Sequence, residues 1–536
     1  MSDAEQVGQL LMPWLLADYA AFDSEAFARA ATWVDSFQVG GIVISIGSPL
    51  DAAAKLNALQ RRSRLPLLIA ADLEFGAGMR LVGATAFPMV MAIGATDREL
   101  DAYELGRVTA LEARAVGIHL TFSPVADVNN NPQNPIINTR SFGEDPDGVA
   151  RLVAAYVRGA GEHGLFTTAK HFPGHGDTGT DSHLLLPVIN GCWNRLDSVE
   201  LVPFRAAVRA GVTAVMTAHI VYACQTGGDT LPATLSASLT SGILKDSLSF
   251  DGLVVTDALT MGAIVSRFGP GESAVQALLA GADVLLMPAD LGAARDALLA
   301  AVVSGRISRD RLDHSVRKVL QLKEDAGLFE QRTVGLDRVP EIVGQRAFQD
   351  LADDIAQRAL TLVEAGPIAG VRGVRGRTAL ITYAEETNLR VGVKLADELR
   401  AAGDTVSLFR LYPPSGTLSY DSARAVIAAA PRVVFAPSVR PIAWRGHVAL
   451  PDSLAALILT TAAARPTILV SFGSPYLLNQ LPGYAGGYLL AWSDSDATER
   501  AAANALTGGA PILGRLPVTI SATHGRGHGI LIPDRE

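Results

Sequence analysis

Phe166-Thr-Thr-Ala-Lys170-His171 is a short run of strand-forming residues that finishes on two ionisable side chains. Six further short apolar runs read as strands, three of them ending on an ionisable residue: Gly41-Ile-Val-Ile-Ser-Ile46, Leu67-Leu-Ile-Ala-Ala-Asp72, Ile118-His-Leu-Thr-Phe-Ser123, Ala214-Val-Met-Thr-Ala-His219, Leu253-Val-Val-Thr-Asp257 and Asp283-Val-Leu-Leu-Met-Pro288. Continuous apolar runs of this length, separated by helical patterns, are those of parallel strands buried on both faces. Between two of them Leu201, Phe204 and Val208 recur at helical spacing, with Gly211 as a stop signal. The reading is a (β/α)₈ TIM-type barrel, with one strand irregular or absent from the pattern. Asp72, Asp127, Lys170, His171, His219 and Asp257 stand where strands finish. The carboxyl ends of barrel strands converge on one mouth, where such folds carry their chemistry, so these residues predict a site.

The barrel pattern ends with a helix in which Leu312, Val316, Val319 and Leu320 share a face, then a polar linker around Gln331–Pro340. From about residue 345 the alternation restarts. Thr378-Ala-Leu-Ile-Thr-Tyr383, Val406-Ser-Leu-Phe409, Val433-Val-Phe-Ala436, Ile468-Leu-Val-Ser-Phe472 and Tyr488-Leu-Leu-Ala-Trp492 read as strands between Ala/Leu-rich helices. The predicted organisation is a barrel domain over 1–340 and a smaller α/β sandwich domain over 341–536. At 536 residues the chain is too long for one core, which agrees with two domains.

Composition removes several function classes. A net charge of −9 gives no general attraction to nucleic acid or anionic membranes. No apolar run approaches the ~20 residues needed to span a bilayer. No glycine-rich phosphate loop follows a strand, which argues against nucleotide cofactors; no cofactor is expected. Cys192 and Cys224 are the two cysteines and read as buried thiols, with a mutual disulfide as the lesser alternative. Met1-Ser-Asp-Ala-Glu-Gln lacks a secretory pattern, and the expected location is cytoplasmic.

The stretch richest in chemistry is Lys170-His-Phe-Pro-Gly-His-Gly-Asp-Thr-Gly-Thr-Asp181-Ser-His183. Its glycines allow turns that fold a loop over a ligand. Asp181 and His183 lie two apart, so the carboxylate can contact one imidazole nitrogen while the other faces a substrate. Such pairing suits a proton shuttle. His171, His175 and His183 invite comparison with a metal site, but loop histidines separated by glycines lack the rigid support that catalytic zinc needs, and no metal is expected. His175 reads as a loop-shaping residue, and His119 and His219 as satisfied barrel residues, His219 being the better outside candidate for catalysis because it ends its strand. Asn129-Asn-Asn-Pro-Gln-Asn134 is a polar turn with no assigned role.

These residues carry a resemblance. Ala71-Asp72-Leu-Glu-Phe-Gly76, Asn138-Thr-Arg-Ser-Phe-Gly-Glu-Asp-Pro146, the Lys170 to His183 run and Val254-Val-Thr-Asp257-Ala-Leu-Thr-Met261 resemble glycoside hydrolase family 3, in its β-N-acetylglucosaminidase branch of two-domain members. Gly514-Arg-Leu-Pro-Val518 extends the likeness more loosely into the second domain.

The resemblance implies a retaining exo-β-N-acetylglucosaminidase acting on a small oligosaccharide derived from chitin or peptidoglycan. Asp257 would be the nucleophile and His183 the acid and base, with Asp181 orienting it. Asp72, Arg140, Lys170 and His171 would hydrogen-bond ring hydroxyls. Around Asp72 the text departs from single-domain members: Leu73-Glu-Phe-Gly-Ala-Gly-Met-Arg80 stands where they carry Gln-Glu-Gly-Gly-Arg-Val. Arg80 either replaces the family arginine or pairs with a nearby acid.

Plainer roles compete with each assignment. Asp257 could cap the segment after it, Lys170 could pair with a buried acid, and Arg140 could clamp its own loop through Glu144 or Asp145. A phosphorylase, a β-glucosidase or β-xylosidase, and a sugar-binding protein without catalysis are the alternative functions. The second domain could wall the site, support a homodimer, or brace the barrel.

Overall fold

The computed structural model describes residues 1–224, 230–366 and 376–533. The chain forms two compact units, each assembled from three stretches. The first comprises Met1–Ala86, Ala102–Val128 and Val149–Phe348; the second comprises Phe87–Asp101, Asn129–Gly148 and Gln349–Glu536.

The first unit is a closed ring of eight parallel strands. β1 consists of Leu11–Met12 and Trp14–Leu15 on either side of Pro13. β2 is Gly41–Ile44, β3 Leu68–Ala71, β4 Leu120–Thr121, β5 Phe166–Phe172, β6 Ala214–Thr217, β7 Leu253–Thr256 and β8 Leu285–Leu286. Each strand from β2 to β7 pairs with the next. Closure depends on β1, which faces two ways. Its first half pairs with β8 through Leu11 and Leu285, and its second half pairs with β2 through Trp14 and Val43. A parallel bridge between Val255 and Val284 joins β7 to β8. The strand missing from the sequence pattern is therefore Leu11–Leu15, whose apolar run is broken by Pro13, a residue that offers no ladder N–H.

The outer helices follow from ordinary signals. In Arg309–Asp325 the Ser308 side chain caps the N-terminus by accepting from Arg311 N, and Leu312, Val316 and Val319 are buried. Burial of each such side chain stabilises the unit by roughly 1.5–3 kcal/mol. Leu201–Arg209 is helical as the spacing predicts, and Gly211 takes the left-handed conformation (φ +84°) that ends it.

The second unit holds a six-stranded sheet. β9 is Thr361–Glu364, β10 Arg377–Tyr383, β11 Thr405–Leu411, β12 Arg432–Pro437, β13 Thr467–Ser471 and β14 Gly487–Leu490. The order is β9-β14-β13-β12-β10-β11, with β9 antiparallel to β14 and the others parallel. Alternate strand residues supply two cores. Val433, Phe435, Leu469 and Tyr488 pack with Ile427 and Ile458 on one face, and Val434, Ile468, Val470 and Leu489 with Leu395 and Ala502 on the other. Helices on both faces make this an α/β sandwich. Glu144 shows how Asn129–Gly148 joins this unit: its carboxylate accepts from Thr519 N (2.8 Å) and Thr519 Oγ1 (2.6 Å).

Cys192 and Cys224 form a disulfide, with Cα atoms 5.2 Å apart. This corrects their reading as buried thiols, since both are exposed. The parallel pair Val188–Ile189 and Val221–Tyr222 brings their two segments side by side, a long-range pairing that the 32-residue separation conceals. Disulfides persist in oxidising compartments and are rare in reducing ones, which counts against the cytoplasmic expectation. Among the described residues no helix is long and apolar enough to cross a membrane.

Candidate active site

Asp72 follows β3 directly. Its carboxylate accepts from Lys170 Nζ at 2.8 Å and from an Arg80 guanidinium nitrogen at 3.0 Å. Lys170, near the end of β5, is 2% exposed and also lies 2.8 Å from Glu74 Oε1. Lys170 is thus a buried cation between two carboxylates, and Arg80 pairs with an acid as one sequence reading allowed. Burial works against the charge on Asp72, but Lys170 and Arg80 outweigh it and hold the carboxyl at about 2. Asp72 remains ionised at neutral pH and 30% exposed, so it can still accept from a ligand.

The pairing of β5 with β6 shifts register between Ala169 and Phe172. Irregularities of this kind re-aim side chains at barrel rims. Here Lys170 meets Asp72, while His171 Nδ1 meets Asp127 Oδ2 at 2.7 Å. The other oxygen of Asp127 accepts the backbone N–H of His171 (3.2 Å) and of His175 (2.6 Å). Burial raises the Asp127 carboxyl, but the two histidines and their N–H groups more than reverse this, leaving it below its ordinary value. Asp127 therefore organises the start of the loop that carries Asp181 and His183. The sequence placed it at a strand end without giving it this work; Glu74 was missed entirely.

The loop is tied at several points. Gly174 O accepts from Tyr222 Oη at 2.6 Å. The buried His175 ring contacts Thr178 Oγ1 (2.7 Å) through Nδ1 and Ser182 Oγ (2.9 Å) through Nε2. Burial, then the nearby His171, push His175 down to about 4, so a neutral ring bridges the loop to itself, the shaping role its sequence suggested. Arg195 reaches Asp177 (3.3 Å) and Glu200 (3.0 Å).

Asp181 and His183 meet as their spacing predicts. Asp181 Oδ1 accepts from His183 Nδ1 at 2.8 Å and from His183 N at 2.9 Å. The Asp181 side chain is fully buried, whereas His183 is 24% exposed. The carboxylate fixes the ring while part of the imidazole reaches solvent-accessible space.

Asp257 follows β7. Its backbone N–H donates to Thr217 O (3.0 Å), and its Oδ1 accepts from Ala258 N (2.7 Å). Burial raises its pKa, but the imidazoles of His219 and His171, the Ala258 N–H and His183 carry it below the usual carboxylate value. An ionised carboxylate surrounded by imidazoles is chemically ready to attack a carbon. His219 is buried and satisfied, with Nδ1 at Thr234 Oγ1 (2.8 Å) and Nε2 donating to Ala258 O (3.0 Å). Gly262 N, five residues after Asp257, donates to His183 O at 3.1 Å.

The first unit thus gathers Asp72, Lys170, His171, Asp181, His183 and Asp257, all on or just beyond β3, β5 and β7. Arg140 belongs to the second unit, at the end of the short helix Asn138–Arg140. There it donates to Ile136 O at 2.9 Å, while Asp145 pairs with Arg526 (2.9 Å). Among the described residues no group of acidic, histidine and cysteine side chains is arranged to hold a metal ion.

Comparison with known proteins agrees with this architecture. The family model described as the glycosyl hydrolase family 3 N-terminal domain matches residues 3–322. The chain is 29% identical over 542 residues to a beta-N-acetylglucosaminidase/beta-glucosidase of Cellulomonas fimi, covering 97% of this chain and 94% of that relative. A solved family 3 beta-N-acetylglucosaminidase from Paenibacillus sp. str. FPU-7 superposes with a TM-score of 0.86 at 32% identity, covering 97% of this chain and 99% of the other. A beta-glucoside phosphorylase, BglX, gives a TM-score of 0.86 at 26% identity, covering 97% and 94%. The chain belongs to glycoside hydrolase family 3.

Proposed function

We propose that this glycoside hydrolase is a retaining exo-β-N-acetylglucosaminidase that releases terminal β-linked N-acetylglucosamine from oligosaccharides derived from chitin or peptidoglycan. Asp257 attacks the anomeric carbon as His183 gives its proton to the leaving oxygen, so the glycosidic bond breaks as the aspartyl ester forms. Water then enters, His183 takes one of its protons, and the ester is cleaved with the β configuration restored. Asp181 holds the imidazole in place through both steps. Asp72, Lys170 and His171 hydrogen-bond the terminal sugar, each charge-assisted bond contributing roughly 1.5–3 kcal/mol.

The observation that carries this reading is the meeting of the His183 loop with the Asp257 segment at the Gly262 N–H. A general acid and a nucleophile must flank one glycosidic bond, and this contact ties the two chain segments together. The names of the Cellulomonas and Paenibacillus proteins support the choice of sugar.

The test is to follow the first-formed product by proton NMR with nitrophenyl N-acetylglucosaminide and nitrophenyl glucoside. The reading predicts β-product and a clear preference for the N-acetyl substrate; α-product, or a preference for glucoside, overturns it. A second reading, phosphorolysis, is favoured by the likeness to the phosphorylase and by the imidazole shuttle, which does not repel phosphate as a carboxylate would. Sugar 1-phosphate formed on adding phosphate would establish it.

A further inference from the structure

The loop bearing the shuttle meets the segment after the nucleophile at one residue, and that residue is glycine. Gly262 opens the helix Gly262–Phe268. A first-turn N–H has no partner within its own helix, and this one donates to His183 O at 3.1 Å. A Cβ on Gly262 would lie 2.7 Å from His183 O and 3.1 Å from Leu184 O. Both are backbone atoms, so the loop would have to move. The backbone of Gly262 itself does not lie in the left-handed region, and alanine is the better helix former. Close approach to the loop is what requires a glycine here.

We infer that Gly262 is a positioning residue whose N–H and missing side chain together latch the His183 carbonyl and hold the proton shuttle beside the nucleophile. The inference rests on the roles proposed for His183 and Asp257. Asp181 O accepts from Leu184 N (3.0 Å) and Leu185 N (3.1 Å), so residues 181–185 form one tight turn. Pushing on the carbonyls of 183 and 184 shifts the whole turn, the Asp181–His183 pair included. Asp257 is fixed upstream of the latch, by Thr217 O and Ala258 N, and is left in place. Substitution at Gly262 therefore separates leaving-group protonation from nucleophilic attack.

The experiment compares wild type, G262A and H183A on dinitrophenyl and phenyl N-acetylglucosaminides, together with thermal melts. A dinitrophenolate leaves without a proton, whereas a phenolate needs one. The expected result is a fall of about tenfold or more in kcat/KM for G262A on the phenyl glycoside, with little change in kcat/KM on the dinitrophenyl glycoside and an unchanged melting temperature. Equal kcat/KM for G262A and wild type on both substrates, or an equal fall in kcat/KM on both, overturn the latch. Lack of leaving-group dependence in H183A overturns the proposed role of His183 instead. Hydrogen exchange on the wild-type enzyme gives a reading that no variant can confound: the Gly262 amide is expected to be protected, and free exchange there contradicts the latch.

Discussion

Asp181 Oδ1 receives two hydrogen bonds from the same residue, His183, one from the ring Nδ1 and one from the backbone N–H. The carboxylate thus fixes both the ring orientation and the peptide carrying it. Removing the charge while keeping the shape tests that coupling. D181N is expected to lower kcat/KM on unactivated glycosides by roughly 10²–10⁴-fold, the range for loss of general acid–base catalysis, and to spare kcat/KM on dinitrophenyl substrates, whose bond breaks without a proton. Steady-state kinetics on both substrates checks it; an equal loss on both would mean that Asp181 supports the fold and not the shuttle.

Lys170 lies between Asp72 and Glu74 and is almost wholly buried. K170M removes the cation beside the buried Glu74 and leaves Asp72 with Arg80 alone. Breaking such a pair costs about 3–5 kcal/mol, and losing a charged bond to substrate costs about 10- to 100-fold in kcat/KM. The double variant K170M/E74Q should recover part of the stability in urea unfolding without restoring kcat/KM. Full recovery of both would reduce Lys170 to a structural role.

Lys323 is buried in the first unit, with Nζ 2.5 Å from Gln9 Oε1. Burial pushes it down to about 7 from an ordinary value of 10.5. Below pH 7 both the folded and unfolded chains carry the proton, and the full burial penalty is present. Between 7 and 10.5 the unfolded chain binds more protons, so the Lys323 contribution to stability rises with pH, by up to about 1.4 kcal/mol per unit. The stability of K323M relative to wild type should accordingly fall between pH 7 and pH 10. A flat difference in urea midpoints across that range would show that Lys323 keeps its proton in the folded state up to pH 10, which contradicts the lowered value.

The Cys192–Cys224 bond closes a 32-residue interval that begins just after the His183 loop. Chain-entropy reasoning assigns such a closure about 3–4 kcal/mol. The pair C192S/C224S should unfold at lower urea by about that amount and resist any further effect of dithiothreitol. Equal stability of variant and wild type would show that the parallel pair Val188–Ile189 and Val221–Tyr222 holds the region without it.

Much of this arrangement was legible because barrel strands are buried on both faces and write themselves as apolar runs. The seven strands read that way are present, and their polar ends hold the candidate site. β1 escaped because Pro13 divides it into two dipeptides, and β9 because Thr361-Leu-Val-Glu364 is short and closes a sheet edge. Asp127 was visible at a strand end, but its work depends on the backbone N–H groups of His171 and His175, which no spacing reveals. The grouping of 87–101 and 129–148 with the second unit depends on contacts such as Glu144 with Thr519, far apart in sequence. The disulfide was hidden for the same reason. Asp181 and His183, two residues apart, were readable because their contact is local.

The central claim is that Asp257 becomes bonded to sugar during turnover. Incubation with a 2-acetamido-2-deoxy fluoroglycoside, followed by proteolysis and mass mapping, tests it directly. The account predicts one labelled peptide, with the added sugar on Asp257 and no labelling of D257A. Label on another carboxylate, or stoichiometric inactivation with Asp257 unmodified, would contradict it.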